Sequence, residues 1–415
     1  MKYVIVIADG ISDLPVPELD GRTPLQAART PVLDHFARSG RVGTVATTHP
    51  ADEDASLATA LRLAGIDPAE MPWGVSAIEA FGAGAEPPAR TYRVEFCQVN
   101  AAGALHLPSH RLIWRPPSAA FAQLVTDLGA HLMQQAPDVM AGRTLLPFAE
   151  GRAVLVEPGA DLAAMPDIGS PEEASRRSWE DVLLETDGPG AECAHLMRLA
   201  AAFLSSCPQP GREQQFGAVW IWSHGVLELH AAKEECAPNV LALVKDPHLV
   251  AAGRCAGWHT ADPRNLGDDF TVDLKALSVA VMDALGRHDM VVCEVDAVLR
   301  ATERGDFDAK VAAIESIDRD LVAPVLDRLS RFGDPATDPS ATGWRLLVHP
   351  RRAAYVSTRV PERDVVPFVM GGAWVRSVVS RSFDEVSAAA SDLHIDPGHE
   401  FFEYFVKGGL ARIRA

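Results

Sequence analysis

The sequence lacks the features that would mark a membrane protein or a binder of anionic polymers. No apolar run approaches the length of a membrane-spanning helix. Basic residues are in deficit, with 38 Lys and Arg against 56 Asp and Glu and a net charge of −18. A surface of that sign has no general attraction for phosphate backbones or anionic lipid, so neither nucleic-acid nor membrane partners are expected.

Cysteine is sparse for a chain of 415 residues. No two cysteines have the short spacing typical of structural zinc sites: they are Cys97, Cys193, Cys207, Cys236, Cys255 and Cys293. A chain of this size does not need disulfides to stabilise a core, so we expect reduced, buried thiols. The sequence starts with a strand-like run rather than a charged leader before an apolar segment, and we expect a cytoplasmic protein.

Short apolar runs and amphipathic helical stretches are abundant, and they alternate along the chain. The apolar runs are YVIVIA, AVLVE, FGAVWIW, VLALVK, MVVCEV and GWRLLVH. Helical periodicity occurs in TPVLDHFARSG, DLKALSVAVMDALG and KVAAIESIDRDLVAPVLDRLSRF. This alternation is typical of an α/β fold, in which helices flank a mostly parallel sheet.

The middle of the chain breaks this alternation. Prolines, short strand-like pieces and mixed charges dominate segments such as EPPARTYRVEFCQVN and AMPDIGSPEEASRRSWED. The pattern predicts an inserted, smaller α+β domain over residues 87–190, serving as a substrate or cap domain. Residues 1–86 and 191–415 would then form the core domain.

The first ten residues, MKYVIVIADG, place an acid at the end of an apolar strand. In parallel sheets, ligands gather beyond the carboxyl ends of the strands, which gives Asp9 a positional reason to be functional. The alternative is an Asp-Gly pair that only forms a turn. The motif by itself does not decide between these interpretations.

Several motifs in order along the chain resemble one known family. After Asp9 come a polar loop and a helix, ISDLPVPELDGRTPLQAARTPVLDHFARSG, and then GIDP, WGVSAIEAFGAG, WIWSHG and GDFDAKVAAIESID. Together they resemble the archaeal-type cofactor-independent phosphoglycerate mutases of the alkaline phosphatase superfamily. The resemblance spans most of the chain and is weakest in the inserted segment. It implies an alkaline-phosphatase-like core domain.

The resemblance also implies a reaction and a metal requirement. Family members move a phosphoryl group between 3-phosphoglycerate and 2-phosphoglycerate through a phosphoserine, with two divalent metals such as Mn, Zn or Mg. Asp9 matches the first metal ligand, and counting back from GIDP places Ser56 at the nucleophile, which also binds metal. Metals suit this chemistry because a serine hydroxyl is a poor nucleophile at neutral pH without activation.

Other ligand positions of the family are altered. In LRATERGDF, Leu299 stands in the position of an Asp and Glu303 in that of a His. Leu cannot bind a hard cation, whereas Glu can. In LLVHPRRAAYVSTRVPERD, His349 keeps a ligand position, Val348 replaces the adjacent Asp, and Pro361 falls where a final His is expected.

From these changes we expect at most one retained metal site, with Asp9, Ser56 and His349 as its ligands. For the second site Glu303 is the remaining candidate. We also expect Asp9, Ser56 and His349 to converge at the carboxyl edge of the sheet, although they are far apart in the sequence.

Residues that would contact the substrate have changed as well. Phe96 stands where the family has an Arg, while His110 aligns with a family His and precedes Arg111. We take His110 and Arg111 as candidate substrate-binding residues. Three further arginines could supply phosphate contacts, although a solvated surface position is the usual state of an Arg: Arg115, Arg351 and Arg352.

Asp246 and His248, in the tetrapeptide DPHL, could be interpreted as metal ligands. An Asp before Pro is first of all a turn or helix-cap signal. We therefore expect Asp246 to cap a helix.

Two functions remain open on the sequence alone. In the first, the chain is a phosphoglycerate mutase or a related metal-dependent phosphotransferase or hydrolase acting through Ser56, with the ancestral reaction weak or lost. In the second, it is a non-catalytic relative that binds a phosphorylated ligand or a protein partner. A fold is retained more readily than the chemistry of its site, so the resemblance does not choose between them.

Overall fold

The computed structural model describes residues 1–52, 54–100, 104–106, 115–159, 168–171, 178–184, 190–207, 216–228, 238–377, 379 and 381–409. The chain divides into two compact units. The first unit comprises Met1–Glu70, Lys233–Lys245 and Ala256–Ala415, and the second comprises Met71–Ala232 and Asp246–Cys255. No helix in the described ranges is both long enough and apolar enough to cross a bilayer.

The strands of the described residues are β1 (Lys2–Ala8), β2 (Arg41–Val45), β3 (Ala89–Val99), β4 (Leu105–His106), β5 (Thr144–Ala149), β6 (Arg152–Pro158), β7 (Ala218–Leu227), β8 (Val240–Leu243), β9 (His259–Thr260), β10 (Met290–Val295), β11 (Trp344–His349), β12 (Ala353–Tyr355), β13 (Val360–Glu362), β14 (Val366–Gly372) and β15 (His394–Ile395). All the apolar runs identified in the sequence are part of strands: β1, β6, β7, β8, β10 and β11.

The α-helices of the described residues are α1 (Pro24–Ala27), α2 (Pro31–Ser39), α3 (Ala55–Leu63), α4 (Val75–Gly82), α5 (Ala119–Gln135), α6 (Pro137–Met140), α7 (Trp179–Leu184), α8 (Gly190–Ser206), α9 (Pro247–Cys255), α10 (Leu274–Ala284), α11 (Ala297–Arg304), α12 (Phe307–Ser316), α13 (Ala323–Ser330), α14 (Glu385–Ala389) and α15 (Glu400–Val406). Short 3₁₀ turns cover Pro17–Leu19, Pro68–Glu70 and Pro263–Asn265. A π-helical segment, Ile317–Val322, joins α12 to α13.

The first unit is built on a sheet in the order β15-β2-β14-β11-β1-β10-β8-β9. Strand β1 is parallel to β10 and β11, and β10 is parallel to β8. Strand β14 runs antiparallel to its neighbours β11 and β2. The predicted α/β fold with a mostly parallel sheet is therefore confirmed.

Strand β1 lies in the middle of this sheet because it is apolar on both faces. Its residues from Val4 to Ala8 are buried. Val4, Val6 and Ala8 pack in one apolar cluster with alternate residues of the neighbouring strands, such as Val348 of β11. Both faces of such a strand are covered by helices, so its buried residues 4–8 leave no place for a charge before the carboxyl end.

The helical stretches read from the sequence form α2, α10 and the run from α12 to α13. This last run contains the π-helical segment, and Pro324 stands in the first turn of α13, where the missing proline N–H is tolerated. Asp318 of the π-helical segment accepts hydrogen bonds from the backbone N–H groups of Val32 and Leu33. A carboxylate from a distant segment thus caps the N-terminus of α2.

The second unit contains an antiparallel sheet in the order β4-β3-β6-β5, with β7 also paired to β3. Its apolar cluster joins this sheet to α5 and α8. The sequence predicted an insertion over 87–190, and that division stays a prediction. The compact unit extends past residue 190 because β7 pairs with β3 from Ala89–Leu227 to Cys97–Ala218. It also begins before residue 87, at Met71.

The corner after β1 requires a glycine. Gly10 has φ of 78°, in the left-handed region that non-glycine residues rarely adopt. A Cβ atom at this position would lie 3.1 Å from Cα of Leu299, which is buried in α11. The close approach of α11 to this corner holds the segment that carries Asp9 in place.

Substituting Gly10→Ala should lower the free energy of unfolding through backbone strain and through the clash with α11, by about 2 kcal/mol or more. Urea denaturation monitored by circular dichroism measures this quantity. Gly21→Ala is the matched control, since Gly21 has φ of 72° but no heavy atom within 4 Å of an added Cβ. Equal losses in the two variants would show that the contact with Leu299 contributes nothing.

Candidate functional site

The carboxyl edge of the sheet in the first unit carries the functional candidates. Asp9 follows β1 directly, and its backbone N–H continues the strand by donating to the carbonyl of Val295. His349 is the last residue of β11 and pairs in register with Ile7 of β1. Because β1 and β11 are parallel neighbours, Asp9 and His349 lie at the same edge, and both are buried.

Ser56 reaches this edge from the N-terminal turn of α3. The side chain of Asp54 caps the helix by accepting hydrogen bonds from the backbone N–H groups of Ser56 and Leu57, at 3.1 and 3.0 Å. The buried hydroxyl of Ser56 therefore sits in the first turn of the helix, where the Asp54 carboxylate already provides the negative charge that the helix dipole favours.

Arg351 forms an ion pair with Asp9. Its Nη2 and Nε atoms donate to Oδ2 of Asp9 at 2.8 and 3.2 Å. Both side chains are 2% exposed, so this interaction is shielded from water. A guanidinium group thus neutralises the acid at the end of β1.

Arg352 connects Asp9 to Ser56. Its backbone N–H donates to Oδ1 of Asp9 at 3.3 Å, and its Nη1 donates to Oγ of Ser56 at 3.1 Å. One residue therefore contacts two of the sequence-predicted site residues, which the structure brings together with His349 at one edge. Their roles as nucleophile and metal ligands remain predictions.

His349 is neutral in this environment. Burial disfavours the charged imidazole and lowers its pKa to about 4, although Pro350 and Asp9 act in the opposite direction. Nδ1 lies 2.8 Å from the carbonyl oxygen of Pro350, and because a carbonyl only accepts, Nδ1 carries the proton. The Nε2 atom is then the unprotonated one, which is the tautomer that a metal-binding or acceptor histidine uses.

A divalent metal at Asp9 would compete with Arg351. Both carboxylate oxygens already accept hydrogen bonds, Oδ2 from the Arg351 guanidinium and Oδ1 from the backbone of Arg352. A cation bound to either oxygen would stand next to a fixed positive charge. Of the three residues expected at the first metal site, His349 fits a metal, whereas Asp9 and Ser56 are engaged by arginines.

The altered positions of the second site do not supply replacements. Leu299 is buried beside Gly10, and Val348 packs in the apolar cluster of the sheet. Pro361 belongs to β13, which pairs with β12. Glu303 lies half-buried near the C-terminal end of α11. Among these four described positions, Glu303 alone offers a ligand atom, so they do not supply a second metal site of the kind that the resemblance implies.

The substrate-contact predictions stay predictions, because His110 and Arg111 lie outside the described residues. Phe96, which the resemblance places at the position of an Arg, is a core residue of β3. Its ring packs edge-to-face on Phe121 and Phe216, with centroids 4.9 and 5.3 Å away. Phe96 therefore contributes to the apolar core of the second unit.

The solvated surface position that is usual for an arginine is wrong for Arg351 and Arg352. Both are buried. Their position in the sequence was the clue that they belong to the site, since they directly follow His349, at the end of its strand, and Pro350. A chain that leaves the carboxyl edge of a central strand passes through the site, so the next side chains lie within its reach.

The second unit holds a buried charge network that the sequence analysis did not identify. Glu79 of α4 accepts from Arg93 of β3 at 2.9 and 2.5 Å and from Arg152 of β6 at 2.7 Å. Arg152 also pairs with Glu95, and Nε2 of His248 lies 3.3 Å from Glu79. The available signal was alternation, because Arg93 and Glu95 stand two residues apart on one face of β3, next to the apolar residues Val94 and Phe96 of the other face.

This network fixes the charge of Glu79. Burial by itself would raise the pKa of the carboxyl, but the guanidinium groups of Arg152 and Arg93 and the hydrogen bond with His248 outweigh it and lower the pKa to about 2. Asp246 caps α9, as expected from the sequence, because its Oδ1 accepts hydrogen bonds from the backbone N–H groups of His248 and Leu249.

The curated relatives of the chain are phosphoglycerate mutases over its whole length. No family model matches the chain. It is 27% identical over 98% of its length to the 2,3-bisphosphoglycerate-independent phosphoglycerate mutase of Methanothrix thermoacetophila, covering 100% of that protein. It is 28% identical over 97% of its length to a probable enzyme of the same name from Geobacter sulfurreducens, covering 99% of it. The resemblance indicated by the motifs is confirmed.

Solved structures agree on the fold. A protein of Pyrococcus horikoshii matches with a TM-score of 0.71 and 19% identity, over 98% of this chain and 97% of that one. The cofactor-independent phosphoglycerate mutase of Thermoplasma acidophilum matches with a TM-score of 0.57 and 20% identity, over 99% of this chain and 100% of that one. At these identities the matches establish the fold alone.

Substituting Glu79→Gln should lower the free energy of unfolding by about 3–5 kcal/mol, because it leaves two buried guanidinium groups without their shared carboxylate. The loss should depend on pH. The pKa of Glu79 is about 2 in the folded chain and 4.5 ordinarily. A depressed pKa contributes stability that is fully present above about pH 4.5 and is lost as the pH falls towards 2.

Urea denaturation of both proteins between pH 2 and pH 7 tests this, and the difference between them should shrink as the solution becomes more acidic. Asp327→Asn is the control, because its pair with Arg331 is more than half exposed on both sides and contributes less than about 1 kcal/mol. A Glu79→Gln loss no larger than that of the control would contradict the assigned role.

Proposed function

We propose that this phosphoglycerate mutase-like chain binds a phosphorylated small molecule at Ser56 and Arg352, and that its turnover of 3-phosphoglycerate and 2-phosphoglycerate is very slow or lost. One observation carries the proposal. Two consecutive arginines engage Asp9 and Ser56, the positions at which the resemblance calls for a metal ligand and a nucleophile. The site retains positive charge for a phosphate but does not retain the groups that hold two metals.

Local geometry supports phosphate binding. Ser56 offers a buried hydroxyl in the first turn of α3, where the Asp54 carboxylate already caps the backbone N–H groups of Ser56 and Leu57. Arg352 places a guanidinium group, whose planar fork matches phosphate oxygens, at the same hydroxyl. These contacts come from different segments of the chain and converge on one atom.

The changes in the site argue against rapid mutase chemistry. Removing a group that stabilises developing charge commonly costs about a hundredfold in rate, or roughly 3 kcal/mol. Leu299 and Val348 remove two such groups, and Arg351 withdraws Asp9 from metal binding. With a pKa of about 4, His349 is also a weak base for activating a serine near neutral pH.

A second candidate function is phosphoryl transfer to Ser56 without a metal. The hydrogen bond from Arg352 favours it, because a nearby cation stabilises the deprotonated hydroxyl and the transferred phosphoryl group. In that case the chain would act as a slow phosphotransferase or hydrolase. Turnover and binding measurements separate the two functions.

Incubation of the purified protein with 3-phosphoglycerate and added Mn²⁺ should give no 2-phosphoglycerate and no free phosphate above background, and Ser56→Ala should not change that result. Coupled assays for both products measure it. Ser330→Ala, at an exposed serine, is the matched control. Turnover that Ser56→Ala abolishes and Ser330→Ala leaves intact would contradict the proposal and establish an enzyme acting through Ser56.

Isothermal titration calorimetry should detect 3-phosphoglycerate and inorganic phosphate, but not glycerate, which has the same carbon skeleton without the phosphoryl group. Phosphorylated ligands should bind better than glycerate because Ser56 and Arg352 bind the phosphate group. Ser56→Ala should weaken binding by about tenfold, a loss of about 1.4 kcal/mol. Equal binding of glycerate would show that another part of the ligand is recognised.

A further inference from the structure

Arg351 and Arg352 are consecutive, but the structure gives them different tasks. We infer that they replace the divalent metals of this site, so that the phosphorylated ligand is bound by Arg352 without any metal while Arg351 holds Asp9 as a positioning residue. This inference rests on the proposed function, since it specifies how the ligand proposed there is held.

Arg351 performs the charge neutralisation that a metal would provide. Two of its N–H groups converge on Oδ2 of Asp9, and the backbone N–H of Arg352 takes Oδ1. The carboxylate is therefore fixed from both sides. Because Oδ1 anchors the backbone of Arg352, the Asp9–Arg351 pair also fixes the place from which the Arg352 side chain extends.

Arg352 is the residue that binds the phosphorylated ligand. Its guanidinium group lies 3.1 Å from Oγ of Ser56, as a hydrogen-bond donor to the atom that a metal would coordinate. A metal ion coordinates Ser Oγ directly and so promotes its ionisation. A guanidinium group instead carries a single delocalised charge and donates N–H groups, which suits it to binding a phosphate rather than to generating a nucleophile.

The fixed cations also make metal binding unfavourable. A divalent ion at Asp9 would have to compete with Arg351 for a carboxylate that is 2% exposed, and the two cations would stand close together with little water to screen them. Ligand binding should therefore be insensitive to chelators. It should also be insensitive to added metal, which is the opposite of what the ancestral two-metal chemistry requires.

The first experiment measures binding of 3-phosphoglycerate to the full chain by calorimetry, once in EDTA and once in excess Mn²⁺. We expect the two dissociation constants to agree within about twofold, the usual precision of such a comparison. Arg352→Gln should weaken binding by about tenfold or more, and Arg352→Lys should retain part of the affinity. Arg319→Gln, at an exposed arginine, should have no effect.

The role of Arg351 is tested with a variant in which the buried charges of Arg351 and Asp9 are removed together. The double substitution Asp9→Asn and Arg351→Gln removes both charges together, and thermal melting establishes that it is folded. We expect it to bind 3-phosphoglycerate more weakly than the natural protein but more tightly than Arg352→Gln. Affinity unchanged from the natural protein would refute the positioning role of Arg351.

The outcomes separate this inference from the function on which it rests. Binding in EDTA that Arg352→Gln removes supports both. Binding that appears only with Mn²⁺, together with bound Mn²⁺ in the dialysed protein by elemental analysis, overturns the replacement of metal by arginine and leaves the proposed function standing. No binding of 3-phosphoglycerate or inorganic phosphate in either condition overturns the proposed function.

Discussion

A carboxylate at the end of a buried strand must be neutralised, and in this chain the neutralising group is the guanidinium of Arg351. Strand β1 is apolar on both faces and ends at Asp9 in a region with almost no water, so an uncompensated carboxylate there would be unfavourable. Either a metal or an arginine can neutralise it. Here Arg351 neutralises Asp9, and the next residue, Arg352, donates a hydrogen bond to Ser56.

Each of the two units contains a charge network that is shielded from water, and the networks differ in kind. In the second unit, Glu79 is shared by two arginines and stands within reach of His248, and its acid is held ionised far below its ordinary pKa. That network ties α4 to β3 and β6. In the first unit, the arginines tie the ends of strands to the N-terminus of α3. Burial makes both networks rigid, because a partial separation would leave charges unsolvated.

The sequence was sufficient for the six apolar strands, for the helices α2 and α10, for the run from α12 to α13 and for the sheet type, since these depend on local apolar periodicity. The two longest described helices, α5 and α8, were not among the predicted stretches. The place of Asp9 was also predictable, because an acid directly after a buried parallel strand lies at the edge where ligands gather. The state of Asp9 was not, since its partner lies 342 residues away in the chain. Arg351 looked like a surface residue for the same reason. The network around Glu79 escaped prediction because only the fold brings α4, β3, β6 and α9 together.

The apolar residue Val348 limits which substitutions this site can tolerate. Its side chain packs among apolar residues of the central strands, while the next residue, His349, keeps its position at the edge. An Asp introduced at 348 while Arg351 still pairs with Asp9 would bury a second carboxylate among apolar side chains. Replacing Arg351 first would remove the guanidinium that neutralises Asp9. Each of these single substitutions should lower stability, so the residues at 348 and 351 constrain each other.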